Sequence, residues 1–255
     1  MPFHFVNKPA LVAYVTSGDP DLATTLDIVL EAIRAGAAII ELGVPFSDPV
    51  ADGPVIQRAS ERALKHGTSL DQVLKLAAEI REQSQSVGLI IFTYLNPVLR
   101  MGMEKFCKIA RLAGVDGVLV TDLPVEEAGA YLAEMRKNEL APIFLAAPTS
   151  TNERLKRIAQ ASGGFVYAIS RTGVTGATKQ MSDDAQALVR RLQKYTKLPI
   201  AVGFGISTPE QFAAVGGYAD GAVVGSAIVE LIERNRGKEA ASVAEFVKGL
   251  LASGS

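Results

Sequence analysis

The sequence predicts a single α/β domain, a (β/α)8 TIM barrel with extra helices. Short apolar runs alternate with helical patterns about eight times, which implies right-handed βαβ units and a parallel sheet. The apolar runs are nearly continuous, as expected for strands that are buried on both faces. No linker divides the 255 residues, and no Gly-x-Gly-x-x-Gly follows the first strand. We therefore expect residues 1–255 to form one barrel domain.

Each predicted strand is an apolar run that leads into a loop containing polar residues, glycine or proline. Such runs suit the wall of a barrel, where helices cover the outer face. The eight predicted strands are Leu11–Val15, Ala38–Leu42, Gly88–Thr93, Val115–Val120, Pro142–Ala146, Gly164–Ile169, Leu198–Val202 and Asp220–Val224.

Capping signals predict where several helices begin. Asp19-Pro20 is expected to cap and open the first helix, because proline is favoured in a first turn. Three capping boxes begin at Ser69, Ser150 and Ser207, each with Glu or Gln three residues later. The predicted helices run over about 20–34, 55–65, 70–83, 103–113, 126–138, 151–161 and 183–195, with a last helical region that ends near 251.

Composition excludes several classes of protein. The 26 Lys and Arg residues nearly balance 27 Asp and Glu residues, which argues against a nucleic-acid binder. No apolar run is long enough to span a bilayer, and the first residues do not resemble a signal peptide. A single cysteine, Cys107, excludes an internal disulfide and suits a reducing compartment. We expect a cytoplasmic protein.

The two histidines lie away from the predicted strand ends. His4 is in the N-terminal segment, and His66 follows a predicted helix. A Ser-His-Asp triad and a histidine-ligated zinc site are therefore disfavoured. If the chain is an enzyme, carboxylates must perform its proton transfers.

The stretch Glu41–Pro54 is the most informative part of the sequence. Glu41 ends an apolar strand, where a charge is costly unless it is partnered or used. The following loop contains three prolines and Asp52, and prolines restrict its conformation. The alternative is that Glu41 only marks the point at which the strand meets water.

Active sites of (β/α)8 barrels lie at the C-terminal ends of the strands. Glu41, Asp52 and Asp122 are placed there and suit general acid–base chemistry or a divalent metal. No lysine ends a strand, which disfavours a Schiff-base aldolase.

Glycines end the last two predicted strands. Gly203, Gly205 and Gly225-Ser226 allow backbone N–H groups to approach an anion, and helices begin there. Because these loops are the usual phosphate site of such barrels, we favour a bound phosphate over simple tight turns.

At these residues the sequence resembles the α subunit of tryptophan synthase. The resemblance covers nearly the whole chain and is carried by segments 41–54, 122–127, 170–176, 203–207 and 225–228. It implies a carbon–carbon lyase that cleaves indole-3-glycerol phosphate to indole and glyceraldehyde 3-phosphate. Indole would then pass through a tunnel to a pyridoxal-phosphate-dependent β subunit, for tryptophan synthesis.

The resemblance also implies roles for individual residues. Glu41 would be the general acid–base, Asp52 would stabilise positive charge at the indole N–H, and Tyr167 would assist. Tyr167 could instead be a core tyrosine, Arg171 a solvated charge, and Asp122 a helix cap. The implied phosphate ligands are Gly176, Gly205, Gly225 and Ser226, and the implied indole and loop residues are Tyr14, Tyr94, Leu95, Asp122, Arg171 and Thr175.

The resemblance implies an α2β2 assembly in which this chain holds neither a cofactor nor a metal. Three alternative functions are compatible with the sequence: a stand-alone indole-releasing lyase, a non-catalytic activator of the β subunit, and another phosphosugar barrel enzyme. One departure concerns the N-terminus, where Pro2 and Pro9 disfavour the helix that the family often places under the barrel. We expect a thinner layer at that end.

Overall fold

The described part of the computed structural model forms a parallel barrel that carries eleven helices. It comprises residues 3, 5, 7–169, 178–203 and 205–252, with no side chains described for 178–182. The strand order is β5-β4-β3-β2-β1-β9-β8-β7-β6, and every neighbouring pair is parallel. The predicted barrel fold is confirmed.

Nine strands occupy the eight predicted positions, because the fifth is divided at Phe144. Its first half pairs with β4 and its second half with β7, so this one segment connects the two ends of the sheet. The strands are β1 (Ala10–Thr16), β2 (Ile39–Gly43), β3 (Gly88–Thr93), β4 (Gly117–Val120), β5 (Ala141–Ile143), β6 (Leu145–Ala146), β7 (Val166–Ile169), β8 (Ile200–Gly203) and β9 (Gly221–Val224).

Helices follow the strands and cover the outside of the barrel. In the described residues none combines the length and apolar character needed to cross a membrane. The helices are α1 (Leu22–Arg34), α2 (Pro54–Lys65), α3 (Leu70–Gln83), α4 (Leu95–Met101), α5 (Met103–Leu112), α6 (Gly129–Lys137), α7 (Asn152–Ala161), α8 (Thr178–Leu192), α9 (Pro209–Gly216), α10 (Ser226–Arg234) and α11 (Glu239–Ala252).

The capping predictions are partly wrong. Ser69 does cap α3, with its N–H donating to Gln72 at 3.0 Å. The first helix, however, is capped by Asp21 rather than Asp19, because ion pairs occupy the Asp19 carboxylate. Thr151 caps α7 in place of its neighbour Ser150, whose hydroxyl accepts from an earlier backbone N–H.

The third capping box is also shifted by one residue. Thr208 caps α9 and pairs with Gln211, because the following Pro209 occupies the first helical position. The bounds of two helices differ more widely from the prediction: α6 begins at Gly129 rather than 126, and α8 spans Thr178–Leu192 rather than 183–195.

Side chains alternate between two apolar layers along each strand. On β1, Leu11 and Ala13 point outward to the helices, whereas Val12 joins the barrel interior. Tyr14 is the next inward residue and lies at the C-terminal end of the barrel. This alternation determines which strand-end residues can reach the mouth.

Aromatic rings fill the N-terminal end of the barrel. Phe3 and Phe5 pack edge-on against Phe165, with ring centroids 5.7 Å and 5.6 Å away. Glycines make room for them: a Cβ on Gly164 would lie 2.4 Å from the ring of Phe3. A Cβ on Gly221 would lie 2.7 Å from the ring of Phe5. Two phenylalanines thus close the end where the sequence predicts no helix.

Phe3→Ala should destabilise the fold while sparing the opposite end of the barrel. Loss of this partly buried ring should lower the free energy of unfolding by about 1–3 kcal/mol, measured by urea denaturation. Leu112→Ala, at a side chain that is 80% exposed, is the control and should change it by less than about 0.5 kcal/mol. Equal losses in both variants would contradict the packing role of Phe3.

Candidate active site

The C-terminal mouth of the barrel is lined by tyrosine rings packed over glycines. A Cβ on Gly43 would lie 2.2 Å from Oη of Tyr14, and one on Gly203 would lie 2.6 Å from Oη of Tyr167. Both tyrosines are buried. Side chains at the two glycine positions would therefore displace the rings, so these strand ends specify an aromatic, largely apolar region, which is the pocket of the candidate site.

Glu41 lies inside this pocket with its carboxyl group unpartnered. It is between Tyr14 of β1 and Ile90 of β3 in the strand register, and it is 0% exposed. Among the described residues, neither carboxylate oxygen has a hydrogen-bond partner. Burial raises the pKa of Glu41 to about 8, because an apolar site disfavours the charged form. Most Glu41 carboxyls are therefore protonated at pH 7.

Asp52 occupies the proline loop beside the mouth and differs from Glu41 in its surroundings. Burial raises the pKa of Asp52 to about 6, and a hydrogen bond from the Tyr94 hydroxyl acts in the opposite direction. The same hydroxyl accepts the N–H of Ala51 at 3.0 Å, and the Tyr94 ring stacks on Phe46 with centroids 5.0 Å apart. Tyr94 thus anchors the loop and keeps Asp52 mostly ionised at pH 7.

Electrostatic coupling places Tyr14 and Tyr167 near both carboxyl groups. Burial raises the pKa of Tyr14 further above its usual value, and negative charge on Asp52 and Glu41 adds to the shift. Burial, Glu41, Tyr14 and Asp52 likewise raise the pKa of Tyr167. Both hydroxyls therefore stay protonated and can donate hydrogen bonds within the pocket.

The opposite side of the mouth offers backbone donors. Gly225 is the N-cap of α10 and provides no side-chain cap, so N–H groups of the first turn remain available. Ser226 begins that helix, whose dipole favours an anion at this end. Gly205 is exposed and has a φ of +46°, a left-handed conformation that suits glycine. Tyr14 lies against Gly225, which brings these backbone donors next to the tyrosine rings.

Asp122 and Leu95 meet at the next strand end. The Asp122 carboxylate accepts the backbone N–H of Leu95 at 2.7 Å. Leu95 is the first residue of α4, so Asp122 caps a helix, although not the one that follows its own strand. Three predicted site residues, Arg171, Thr175 and Gly176, lie outside the described residues.

Comparison with known proteins identifies the family. The family model "Tryptophan synthase alpha chain" matches residues 4–251. A tryptophan synthase alpha chain from Solibacter usitatus is 54% identical over 229 residues, covering 90% of this chain and 85% of that protein.

The chain belongs to the tryptophan synthase alpha chain family.

Solved structures of this family agree with the assignment. Tryptophan synthase subunit alpha from Legionella pneumophila superposes with a TM-score of 0.89 at 35% identity, covering 96% of this chain and 92% of that one. A chain of the tryptophan synthase complex from Pyrococcus furiosus gives 0.87 at 36% identity, covering 96% and 99%. Membership separates this lyase from the other phosphosugar barrel enzymes that the strand ends alone left open.

Two aromatic contacts of the pocket were not predicted from the sequence. Phe92 packs edge-on against Tyr14 with centroids 5.2 Å apart, and Phe46 stacks on Tyr94. The period of two along β3 could have indicated Phe92, which is the inward residue after Ile90. No sequence signal indicates the stacking of Phe46, because it depends on how the proline loop folds back.

Glu41→Gln should remove a pH dependence of stability. The folded-state pKa of Glu41 is raised from 4.5 to about 8, so the folded chain holds a proton that the unfolded chain loses. The contribution of Glu41 to the free energy of unfolding is fully present below pH 4.5. It is lost as the pH rises to 8, by on the order of 4 kcal/mol.

Urea denaturation at pH 5 and pH 8.5 measures this effect. The stability of Glu41→Gln relative to the wild type should increase by a few kcal/mol between these pH values, consistent with about 1.4 kcal/mol per pKa unit. Glu82→Gln, which removes an exposed carboxyl from α3, is the matched control. Parallel pH curves for Glu41→Gln and the wild type would contradict a neutral buried Glu41.

Proposed function

We propose how this chain, a lyase of the tryptophan synthase alpha chain family, carries out its reaction. It cleaves indole-3-glycerol phosphate to indole and glyceraldehyde 3-phosphate, and the indole serves a β subunit. Glu41 acts as general acid and base, Asp52 as the anion beside the indole N–H, and Tyr167 as an assisting donor. We further propose that residues 1–255 act as one domain.

The observation that carries these assignments is the difference between the two carboxyl groups. Their pKa values are raised to about 8 for Glu41 and about 6 for Asp52. At pH 7 the pocket therefore contains one carboxylic acid and one carboxylate. Two carboxyls whose surroundings separate their pKa values are the usual basis for distinct acid and anion roles.

The reaction uses this pair in two steps. Neutral Glu41 gives its proton to C3 of the indole, and the positive charge that forms on the ring nitrogen is stabilised by the Asp52 carboxylate. The Glu41 carboxylate then removes the proton of the glycerol hydroxyl. The electrons of that O–H bond form the aldehyde, and those of the C3–glycerol bond return to the indole ring. Glu41 ends protonated, as it began.

The remaining pocket residues bind and orient the substrate. Tyr14, Tyr94 and Leu95 are proposed to contact the indole, for which buried aromatic rings are suitable partners. Gly205, Gly225 and Ser226 are proposed to bind the phosphate, together with Gly176. Thr175 and Arg171 are proposed to close over the bound substrate, and Asp122 to support that side of the site through α4.

The proline loop is proposed to contact the β subunit. Val50 is 85% exposed at the tip of the loop, and it lines a shallow groove together with Leu64. A second groove of about 450 Å³ shares Phe46, Ser47 and Leu64 with the first and is partly apolar. Contiguous exposed apolar side chains with a polar rim are typical of a protein interface. Because Asp52 belongs to this loop, the partner could order it.

We also propose an α2β2 assembly in the cytoplasm. The single cysteine is buried and needs no oxidising compartment, and no pyridoxal phosphate is expected in this chain. A stand-alone indole-releasing lyase is the second candidate, and a non-catalytic activator is disfavoured by the acid–carboxylate pair. Indole release with and without a β subunit distinguishes them, because only a partnered lyase should accelerate when the β subunit is added.

Substitution of the two carboxyls should separate their roles. Indole release should be lost in Glu41→Gln, and should fall by on the order of 10²-fold in Asp52→Asn, because charge stabilisation is lost. In the wild type, kcat/KM should fall below about pH 6 and above about pH 8. Asp52→Asn should lose only the acid limb of this profile.

Asp48→Asn is the matched control for these variants, because Asp48 is exposed in the same loop and bonds to Ser47. Its rate and pH profile should equal those of the wild type when the chain is assayed alone. Wild-type rates in Glu41→Gln would contradict the assignment of the acid.

Val50→Asp should weaken activation by the β subunit, because a charge at the tip of the loop would have to be desolvated in the interface. The concentration of β subunit that gives half-maximal stimulation should rise at least about tenfold. Leu112→Asp adds the same charge at an equally exposed site at the end of α5 and is the control. Equal shifts in both variants would exclude the loop as the contact.

A further inference from the structure

Two helices position the two halves of the proposed site. Helix α2 begins at Pro54, two residues after Asp52. Helix α10 begins at Ser226, directly after the N-cap Gly225. Any movement of one helix against the other would change the separation between the Asp52 carboxylate and the proposed phosphate site.

Apolar packing brings these helices together. Ala59 of α2 and Val229 of α10 form a small buried cluster with Tyr14. Val55 and Ile56 of α2 pack against this cluster, and apolar contact is non-directional. A directional interaction would restrict the helices further to one relative position.

Arg62 provides that interaction by joining three elements. Its Nη1 donates to Glu233 of α10 at 2.7 Å. Its Nε and Nη2 donate to the two carboxylate oxygens of Asp19, at 2.8 Å and 2.7 Å. Asp19 belongs to the turn after β1. Arg58, one helical turn earlier on α2, donates to the same Glu233 at 2.9 Å.

Burial of Asp19 makes this network resistant to screening by salt, and its bidentate geometry makes it directional. The side chain of Asp19 is only 2% exposed, whereas those of Arg62 and Glu233 are 23% and 28% exposed. A bidentate guanidinium–carboxylate pair fixes both distance and angle. Ion pairs that are shielded from water are also screened less by salt than exposed pairs.

We propose that Glu233 and Arg62 are positioning residues, which hold α2 against α10 so that Asp52 and the phosphate site keep the separation that the bound substrate requires. This inference rests on the proposed roles of Asp52 and Ser226. Neither Glu233 nor Arg62 is required to touch the substrate. Their effect is transmitted through the two helices, whose first turns face the mouth of the barrel.

Glu233→Gln is the informative variant. It keeps the shape of the side chain and removes the charge that both arginines share. Substituting Arg62 would be less informative, because it would leave the buried Asp19 carboxylate without its main partner and could prevent folding. Glu230→Gln is the matched control: it makes the same change on the same helix, where Glu230 pairs with Arg234 of α10 itself.

The experiment measures indole release at saturating β subunit and the binding of glycerol 3-phosphate. In Glu233→Gln, kcat should fall about tenfold, because small misplacement of a catalytic group is costly. The dissociation constant of glycerol 3-phosphate should change by less than about twofold, because the first turn of α10 stays intact. Glu230→Gln should match the wild type in both measurements.

Hydrogen exchange of α2 gives a readout that does not depend on catalysis. Saturation with glycerol 3-phosphate should slow amide exchange over residues 54–65 in the wild type and in Glu230→Gln, but not in Glu233→Gln. If the wild type released no indole, the proposed function would fail. The exchange response would still test whether phosphate binding at α10 is coupled to α2.

Three results would overturn the inference. One is an unchanged kcat and exchange response in Glu233→Gln with only a lower melting temperature, which would make the network merely stabilising. Another is weakened binding of glycerol 3-phosphate at unchanged kcat, which would make Glu233 part of the phosphate site. The third is an equal loss of kcat in Glu233→Gln and Glu230→Gln, which would show a general effect of charge.

Discussion

The burial of the Glu41 carboxyl group is the constraint on which the site depends. An unpartnered carboxyl in an apolar barrel is tolerated as the neutral acid, and this is the form in which it can give a proton to carbon. The same burial requires the neighbouring surfaces to be apolar or protonated, as the rings of Tyr14 and Tyr167 are. Asp52 can stay ionised because it lies in a loop and accepts a hydrogen bond from Tyr94.

At both ends of the barrel, glycines make room for aromatic rings. At the N-terminal end, glycines at or before strand starts admit Phe3 and Phe5, and the rings close the barrel. At the C-terminal end, Gly43 and Gly203 admit the rings of Tyr14 and Tyr167, which lie near Glu41. A missing Cβ therefore determines where a large ring can lie at each end of the barrel.

The helices above the mouth link the fold to the chemistry. Helix α2 begins directly after the proline loop, and α10 begins at the proposed phosphate site. Their contact over Tyr14 combines a small apolar cluster with the ion pairs of Arg62. In the proposed site, the distance between Asp52 and the phosphate would therefore depend on ion pairs that lie outside the site.

The sequence alone determined the barrel, the family and the strand-end position of Glu41, because strand–helix alternation and the motif at 41–54 are local patterns. It placed two helix caps one residue early, since adjacent hydroxyls compete and only neighbouring contacts decide between them. The charge states of Glu41 and Asp52, the helix cap by Asp122, the ring of Phe46 on Tyr94 and the bridge from Arg62 to Glu233 required the tertiary structure. Burial and pairing join residues that are far apart in the chain, and no local pattern records such distances.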